Sequence, residues 1–234
     1  LRCRNWSHQA DPTSGREQQM RQNFGRAAIL EDLTPLETQS KWDEAAALLR
    51  EALAIAWNDQ DARHLAEVEM KAGRPQRAVD ELEKLIRTTG ASGENLLALS
   101  RVWLAQGDTQ KAFELLSRAE SLGGNNSALG NLQIQQALGS MAAARNDPEA
   151  ARVHQARAQF ELGKVSWSEN NIAQAQQQFF LSTNLWPGQA HAWFYLGETS
   201  ALLGDVARAR QSYQRCLQLQ PNHGRAVEAM KRLR

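Results

Sequence analysis

The chain has 234 residues, which is enough to bury a sizeable core in one or two domains. Its 27 lysines and arginines almost balance 26 aspartates and glutamates, so no strong field would draw nucleic acid or an anionic membrane to it. No apolar run reaches the roughly 18 residues of a membrane helix, and good helix formers such as Ala, Leu, Gln, Glu and Arg predominate. The composition therefore predicts an all-helical protein with no affinity for nucleic acid and no membrane insertion.

The chain opens with a polar segment, residues 1–22, which is predicted to be a leader or a linker. It begins with Leu1 rather than Met, and it contains no apolar stretch that resembles a signal peptide. We therefore expect a processed protein or an excised part of a longer one.

The two cysteines, Cys3 and Cys216, stand at opposite ends of the chain. They are expected to be free thiols, because one long bridge is no framework for a chain with an adequate core. They leave the redox compartment open. The glutamine-rich, tryptophan-bearing composition favours a bacterial protein of the cytoplasm or the periplasm.

A first pair of helices is predicted near residue 26. A helix over roughly Met20–Leu33 meets Thr34-Pro35, which should end or kink it, because the residue before a proline disfavours helical backbone. The segment Ser40–Ala56 is predicted to be the second helix of this pair.

Two units of about 34 residues follow, and they carry similar residue types at the same internal positions. Large apolar residues at positions 7 and 24 would fill the seam between two helices, and small residues at positions 8 and 20 would let the helices approach. A glycine at position 15 would end the first helix in a left-handed turn. The residues at positions 7, 8, 15, 20 and 24 are Leu65, Ala66, Gly73, Ala78 and Leu82 in the unit Asp59–Ser92, and Leu99, Ser100, Gly107, Ala112 and Leu116 in the unit Gly93–Asn126.

The period breaks over residues 127–155. Ser127–Arg145 reads as one long helix, and the Asn-Asp-Pro sequence after it reads as a helix stop, an N-cap and a first-turn proline. Because no breaker follows, Pro148–Ser168 is predicted to be one continuous helix, which leaves two helices where regular stacking needs three. The alternative is a tight turn near Ala156.

The period resumes with units that begin at Ala156 and Ala190, and a short capping helix is predicted from Gly224. A proline at position 32 stops the second helix of each unit. The residues at positions 7, 8, 20, 24 and 32 are Leu162, Gly163, Ala175, Phe179 and Pro187 in the one unit and Leu196, Gly197, Ala209, Tyr213 and Pro221 in the other.

This spacing resembles the tetratricopeptide repeat, which forms two antiparallel helices in about 34 residues. The resemblance implies an all-α, right-handed α-solenoid of helix-turn-helix repeats, with a phase break near residues 127–168 that would make its groove discontinuous. It divides the chain into an N-terminal block over residues 23–126, with units near 26, 59 and 93, irregular long helices over 127–155, and a C-terminal block over 156–234.

In tetratricopeptide proteins the concave wall consists of the first helix of each repeat, chiefly its positions 2, 5, 9, 12 and 13. In the last two units of this chain, these positions hold three aromatic rings and two cations. Such a wall suits an extended peptide or a partner helix, because rigid rings give contact area at low entropy cost. The alternative is that a neighbouring helix or the phase break covers the rings. The predicted partner-binding residues are Arg157, Phe160, Lys164, Trp167, His191, Phe194, Glu198, Arg63 and Arg101, whereas Trp193, Trp103 and Phe179 are assigned to core packing.

The resemblance implies a non-catalytic protein-interaction scaffold without a cofactor or a metal. The sequence contains no P-loop, no serine-hydrolase elbow and no metal-ligand motif. The clamp with which the family holds chaperone tails needs Lys at position 5 and Asn at position 9, whereas Arg63 is followed by Glu67 and Phe160 by Lys164. The alternative function is a repeat module of a larger enzyme or of an envelope assembly or secretion machine. The sequence leaves the partner and the oligomeric state open.

Overall fold

A computed structural model of the chain describes residues 12–124 and 127–233. In the first helix, the described side chains are those of residue 19 and of residues 22 onward. Within these ranges the chain is all-helical, as predicted, with thirteen α-helices and no strand. The described residues form two compact units that divide between Ala91 and Ser92. The predicted repeat blocks, residues 23–126 and 156–234, were defined by the spacing of the repeats in the sequence and not by compactness. They therefore stay a prediction.

The first unit consists of two short hairpins and the helix that precedes them. Its helices are α1 (Pro12–Leu30), α2 (Leu33–Thr38), α3 (Trp42–Ile55), α4 (Asp59–Lys71) and α5 (Pro75–Thr89). The first helix begins well before Met20, where it was predicted to start, and residues 1–11 of the predicted leader lie outside the described residues. Helix α1 ends before Pro35, which lies in the first turn of α2, where a missing N–H leaves no helical hydrogen bond unmade.

The core of the first unit lies among α2, α3 and α4. Its buried apolar residues are Leu33, Ala45, Ala46, Leu49, Leu65 and Val68. The fully buried carboxylate of Glu69 forms ion pairs with Arg50 on α3 and with Arg74 in the turn after α4. Because a buried charge needs both a counter-charge and hydrogen bonds, these pairs fix how α3 and α4 dock.

The second unit contains eight helices. They are α6 (Gly93–Ala105), α7 (Thr109–Ser121), α8 (Ala128–Ala144), α9 (Pro148–Ser168), α10 (Ile172–Leu185), α11 (Ala190–Leu202), α12 (Val206–Leu219) and α13 (Gly224–Arg232). The predicted continuous helix is confirmed, because α9 runs unbroken through Ala156. The Asp147 carboxylate caps it by accepting the Ala150 backbone N–H at 3.0 Å.

Helix α9 belongs to two hairpins. Its first half packs on α8, where a Cβ added to Gly139 would lie 3.4 Å from the Cβ of His154. Its second half packs on α10, where a Cβ added to Gly163 would lie 2.5 Å from the ring of Phe179. The α8–α9 hairpin was not recognised as a repeat unit from the sequence, although Gly139 and Ala151 occupy its positions 8 and 20 if it is counted from Leu132.

Among residues 12–124 and 127–233, six turns of three residues share one backbone conformation. Each joins two helices, and its middle residue has a positive φ. The six middle residues are Ser40, Gly73, Gly107, Asn146, Asn170 and Gly204. The predicted left-handed turn at position 15 is thus confirmed, and asparagine or serine adopts it where glycine is missing.

Replacing Gly107 with alanine is expected to lower the free energy of unfolding by about 1 kcal/mol, because the left-handed conformation brings a Cβ close to the carbonyl oxygen. The φ of Gly107 is 83°, and no atom lies within 4 Å of the added Cβ, so backbone strain is the sole cost. Urea unfolding followed by circular dichroism measures the change. Gly224→Ala is the matched control, since its Cβ also points into open space but its φ is not positive. An equal loss in both variants would contradict the assignment.

The thiol of Cys216 is free and buried on α12, as predicted for this cysteine. Burial raises its pKa to about 11, so it stays protonated and unreactive at neutral pH. Cys3 lies outside the described residues.

Candidate functional site

The predicted site residues of the second unit lie mainly on two helices. Arg157, Phe160, Lys164 and Trp167 are spaced three and four residues apart on α9, and the same spacing places His191, Phe194 and Glu198 together on α11. This spacing keeps each set on one face of its helix. Arg101 lies on α6, where its guanidinium donates to the Gln133 side chain, and Arg63 lies on α4 in the first unit.

Aromatic rings of α9 and α11, together with one ring of α10, form a continuous cluster, which we call the aromatic seam: Phe160, Trp167, Phe179, Phe194 and Tyr195. Tyr195 lies at its centre. Its ring centroid is 5.6 Å from that of Phe160, 5.9 Å from that of Trp167 and 5.4 Å from that of Phe194, each edge to face. It also stacks on Phe179 at 5.2 Å. Edge-to-face and offset-stacked rings are the favoured arrangements, so the seam is a rigid surface.

The rings of the seam differ in exposure. Phe160, Trp167 and Tyr195 are half-buried, whereas Phe179 and Phe194 are 0% and 1% exposed. The assignment of Phe179 to the core is thus confirmed. For Phe194 the alternative, that a neighbouring helix covers the ring, is confirmed, since α13 packs over it.

Two other tryptophans were assigned to the core. Trp193 is half-buried against the seam, and its indole N–H donates to the Pro187 carbonyl at 2.8 Å. Trp103 is half-buried rather than enclosed, and the Lys111 amine lies 3.8 Å from its ring centroid. Both tryptophans are therefore partly buried, although both were assigned to the core.

Two cations lie over the rings of the seam. The Lys164 amine is 5.6 Å from the Phe160 ring centroid and 2.7 Å from a Glu161 carboxylate oxygen. The Arg225 guanidinium on α13 is 4.7 Å from the Phe194 ring centroid and 5.8 Å from that of Tyr195. Arg225 is exposed and has no carboxylate partner among the described residues. Its charge is therefore available to a bound molecule.

A groove of about 570 Å³ opens between α11 and α13. Phe194 lies at its base, and Glu198, Arg225, Glu228 and Arg232 line its walls. The Tyr213 hydroxyl donates to Glu198 at 2.5 Å, and burial together with this hydrogen bond raises the pKa of Tyr213. The walls thus present both signs of charge above an aromatic base.

A smaller cavity of about 240 Å³ lies beside the middle of α9. Arg157 forms an ion pair there with Glu120 of α7, and its guanidinium lies 5.2 Å from the Trp186 ring centroid. Gln135 of α8 donates to the same Glu120 at 3.1 Å and lies 2.8 Å from Nδ1 of His154, whose pKa burial lowers. Arg157 therefore serves chiefly to join α7, α8 and α9.

The structure joins only part of the predicted site. Phe160, Trp167 and Phe194 meet through Tyr195, a residue that the sequence analysis did not select. Tyr195 occupies position 6 of its unit, next to the groove positions. Arg225 was also missed, although it is at position 2 of a unit that begins at Gly224, because the helix there was read only as a cap.

No group of three or more His, Cys, Asp or Glu side chains lies close enough to hold a metal ion within residues 12–124 and 127–233. None of the helices in those ranges is long and apolar enough to span a bilayer.

Sequence comparison finds the tetratricopeptide repeat in two places. One family model matches residues 64–128, and another matches residues 190–223, the same residues as the unit predicted from Ala190. A helical-hairpin array with these repeats defines a class of protein-interaction scaffolds. The chain therefore carries tetratricopeptide repeats over residues 64–128 and 190–223. A comparison with the curated proteins found no match.

Several solved structures align with most of the chain at low identity. The TPR2AB domain of yeast Sti1, in its complex with pHSP90, is 14% identical, with 90% of this chain and 83% of that chain covered and a TM-score of 0.44. PilF of Pseudomonas aeruginosa is 16% identical, with 90% and 99% covered and a TM-score of 0.47. The C-terminal part of a repeat-containing protein from Cytophaga hutchinsonii is 14% identical, with 86% and 84% covered and a TM-score of 0.41. Likeness at this level carries no information about partners.

Proposed function

We propose that the chain is a non-catalytic scaffold that holds a peptide or a helix of a partner protein against the aromatic seam and the α11–α13 groove. The observation that carries this proposal is the seam itself, in which half-buried rings are fixed by one another and have cations over their faces. The proposed contacts are Phe160, Lys164, Trp167, His191 and Glu198, with Tyr195 and Arg225 added. Phe194 is the buried base of the groove and Arg157 joins α9 to α7, while Arg63 and Arg101 stay separate predictions.

Rigidity supports this role. A side chain that is free in solution loses rotamer entropy when a partner fixes it, at a cost of about 0.5–1.5 kcal/mol each. The rings of Phe160, Trp167 and Tyr195 are already held by their neighbours at 5.6 to 5.9 Å. Little further ordering is therefore required when a partner covers their exposed parts.

The charges around the seam support an extended or helical segment rather than a small apolar ligand. Arg225 and Arg232 alternate along α13 with Glu228, and Glu198 faces them from α11. A partner segment would place its own charged side chains against these walls and its apolar side chains against the rings. Such mixed surfaces give register and specificity more than raw affinity.

Combining Trp167→Ala with Arg225→Gln is expected to weaken partner binding at least tenfold, since it removes one ring and one free cation from the proposed contact. Immobilised chain would be used to capture partners from source extract, and overlapping peptides of the captured protein would then be titrated against wild type and variant. Circular dichroism would confirm that both are folded.

Trp57→Ala is the matched control for this experiment. Trp57 is a 40% exposed tryptophan of the first unit with the Lys84 amine 5.7 Å from its ring centroid, so it resembles the target in chemistry but lies outside the proposed contact. Its replacement should leave affinity unchanged. Equal affinity of the folded double variant and the wild type would place the binding surface elsewhere.

A further inference from the structure

Helix α13 begins with a cap that can take up a proton. His223 is 8% exposed, and its Nδ1 accepts the Ala226 backbone N–H at 3.2 Å. A ring nitrogen can accept a hydrogen bond only while it carries no proton. The other side-chain caps among the described helices are asparagine, serine or aspartate: Asn58, Ser92, Asp108, Ser127, Asp147, Asn171 and Asp205. Within residues 12–124 and 127–233, His223 is therefore the side-chain cap that protonation of an imidazole would remove.

The surroundings of His223 oppose a positive charge. Helix α11 presents His191, whose ring centroid is 5.3 Å away, and Phe194, at 4.8 Å. Arg225 faces the ring from α13 itself. From α12, Gln220 accepts the His223 backbone N–H at 3.1 Å, and no carboxylate faces the ring among the described residues. Burial, then His191 and Arg225, lower the pKa of His223.

Few apolar groups hold α13 in place, and two polar contacts tie down its C-terminal end: Arg210 donates to the Leu233 carbonyl at 2.8 Å, and the Arg232 guanidinium lies 3.6 Å from the Glu198 carboxylate. The helix has 9 residues, of which Ala226 and Ala229 are buried. Its remaining apolar contacts come from the half-buried Met230 and Leu233. A helix this short is not stable alone in water, so its order depends on docking and on its cap.

We propose that α13 is an acid-released wall of the α11–α13 groove, docked while His223 is neutral and set free when this ring takes up a proton. Release would withdraw Arg225, Glu228 and Arg232 from the groove and uncover Phe194. Loss of a bound partner at acidic pH rests on the proposed function, whereas release of α13 itself does not.

The sign of the pH dependence follows from proton linkage. His223 in the released helix has an ordinary pKa of about 6.5, and in the docked helix its pKa is lower. The released state therefore binds more protons, and docking weakens as the pH falls below about 6.5. Above that pH, docking is at full strength.

Amide hydrogen exchange of the free full-length chain tests this proposal, with His223→Asn as the matched variant. Asparagine caps a helix without titrating. The amides of residues 226–232 are compared between wild type and variant at the same pH, so that the intrinsic exchange rate cancels. At pH 7.5 the exchange rates of wild type and variant should agree. At pH 5.5 the wild type should exchange faster, by up to about tenfold. This limit arises because pH 5.5 lies about one pH unit below the ordinary pKa of histidine.

His191→Asn serves as a second variant, because it removes the ring that packs against His223 and leaves the cap. It should retain part of the acid response, whereas His223→Asn should abolish it. Equal exchange of wild type and His223→Asn at pH 5.5 would overturn the proposal. This readout needs no partner, so it fails or succeeds independently of the proposed function.

Discussion

Alanine in place of Phe179 is expected to lower the free energy of unfolding by about 3–5 kcal/mol, the usual loss when a fully buried phenylalanine is truncated. The ring is 0% exposed, stacks on Tyr195 at 5.2 Å and lies 5.7 Å from the Phe160 centroid. Because Gly163 has no side chain to move into the cavity, the loss should lie at the upper end of this range. Urea unfolding of the full chain by circular dichroism measures it.

The next residue in the chain provides the control. Phe180 is 47% exposed on the same helix, so Phe180→Ala should change the free energy of unfolding by less than about 0.5 kcal/mol. A similar loss in both variants would mean that the seam is not a packed core and that helix propensity alone is being measured.

Alanine at Gly163 or at Gly197 is expected to destabilise the protein by about 1–3 kcal/mol through overpacking. A Cβ at Gly163 would lie 2.5 Å from a ring carbon of Phe179, and a Cβ at Gly197 would lie 2.5 Å from a ring carbon of Tyr213. In an open helix the same change stabilises by up to about 1 kcal/mol, so the sign itself is diagnostic. Thermal and urea unfolding give the change.

Gly25→Ala on α1 is the control, because it should not lower the free energy of unfolding. Its added Cβ would meet no atom nearer than 3.8 Å, so this variant should be neutral or more stable than wild type. Adding Phe179→Leu to Gly163→Ala should recover part of the lost free energy of unfolding, because the smaller leucine side chain relieves the clash with the added Cβ. Independent, additive effects of these two changes would show that the predicted contact is not formed.

The period of the sequence predicted most of the hairpins because each position has a local cause. Gly73, Gly107 and Gly204 hold a positive φ at position 15, and the long helix α9 follows from a stretch without breakers. Such rules act within a few residues, so they can be read from the chain alone.

The hairpin of α8 and α9 was missed for an equally physical reason. Position 24 of that unit, where a large apolar residue is expected, is Gln155, which is exposed. The close approach to Gly139 is made instead by His154, one residue earlier. The start of α1 was missed because polar residues around Pro12 fit a first turn as well as a linker.

The helices that carry the candidate site were predictable from the sequence, but the exposure of its aromatic rings was not. Spacing placed Phe160, Trp167 and Phe194 on the inner faces of α9 and α11. Whether a ring stays open depends on the next helix in the array, and α13 covers Phe194. Tyr195 gains its central position from contacts on both sides, which no single-helix pattern contains.

The sharing of α9 between two hairpins changes how the second unit holds together. In a regular array each hairpin contacts only its neighbours, so the ends can unravel while the middle stays folded. Here the partner of α8 and the partner of α10 are one and the same helix. If α9 unfolds, both α8 and α10 lose the helix against which they pack. We therefore expect α8, α9 and α10 to unfold together as one cooperative block, rather than to separate between hairpins.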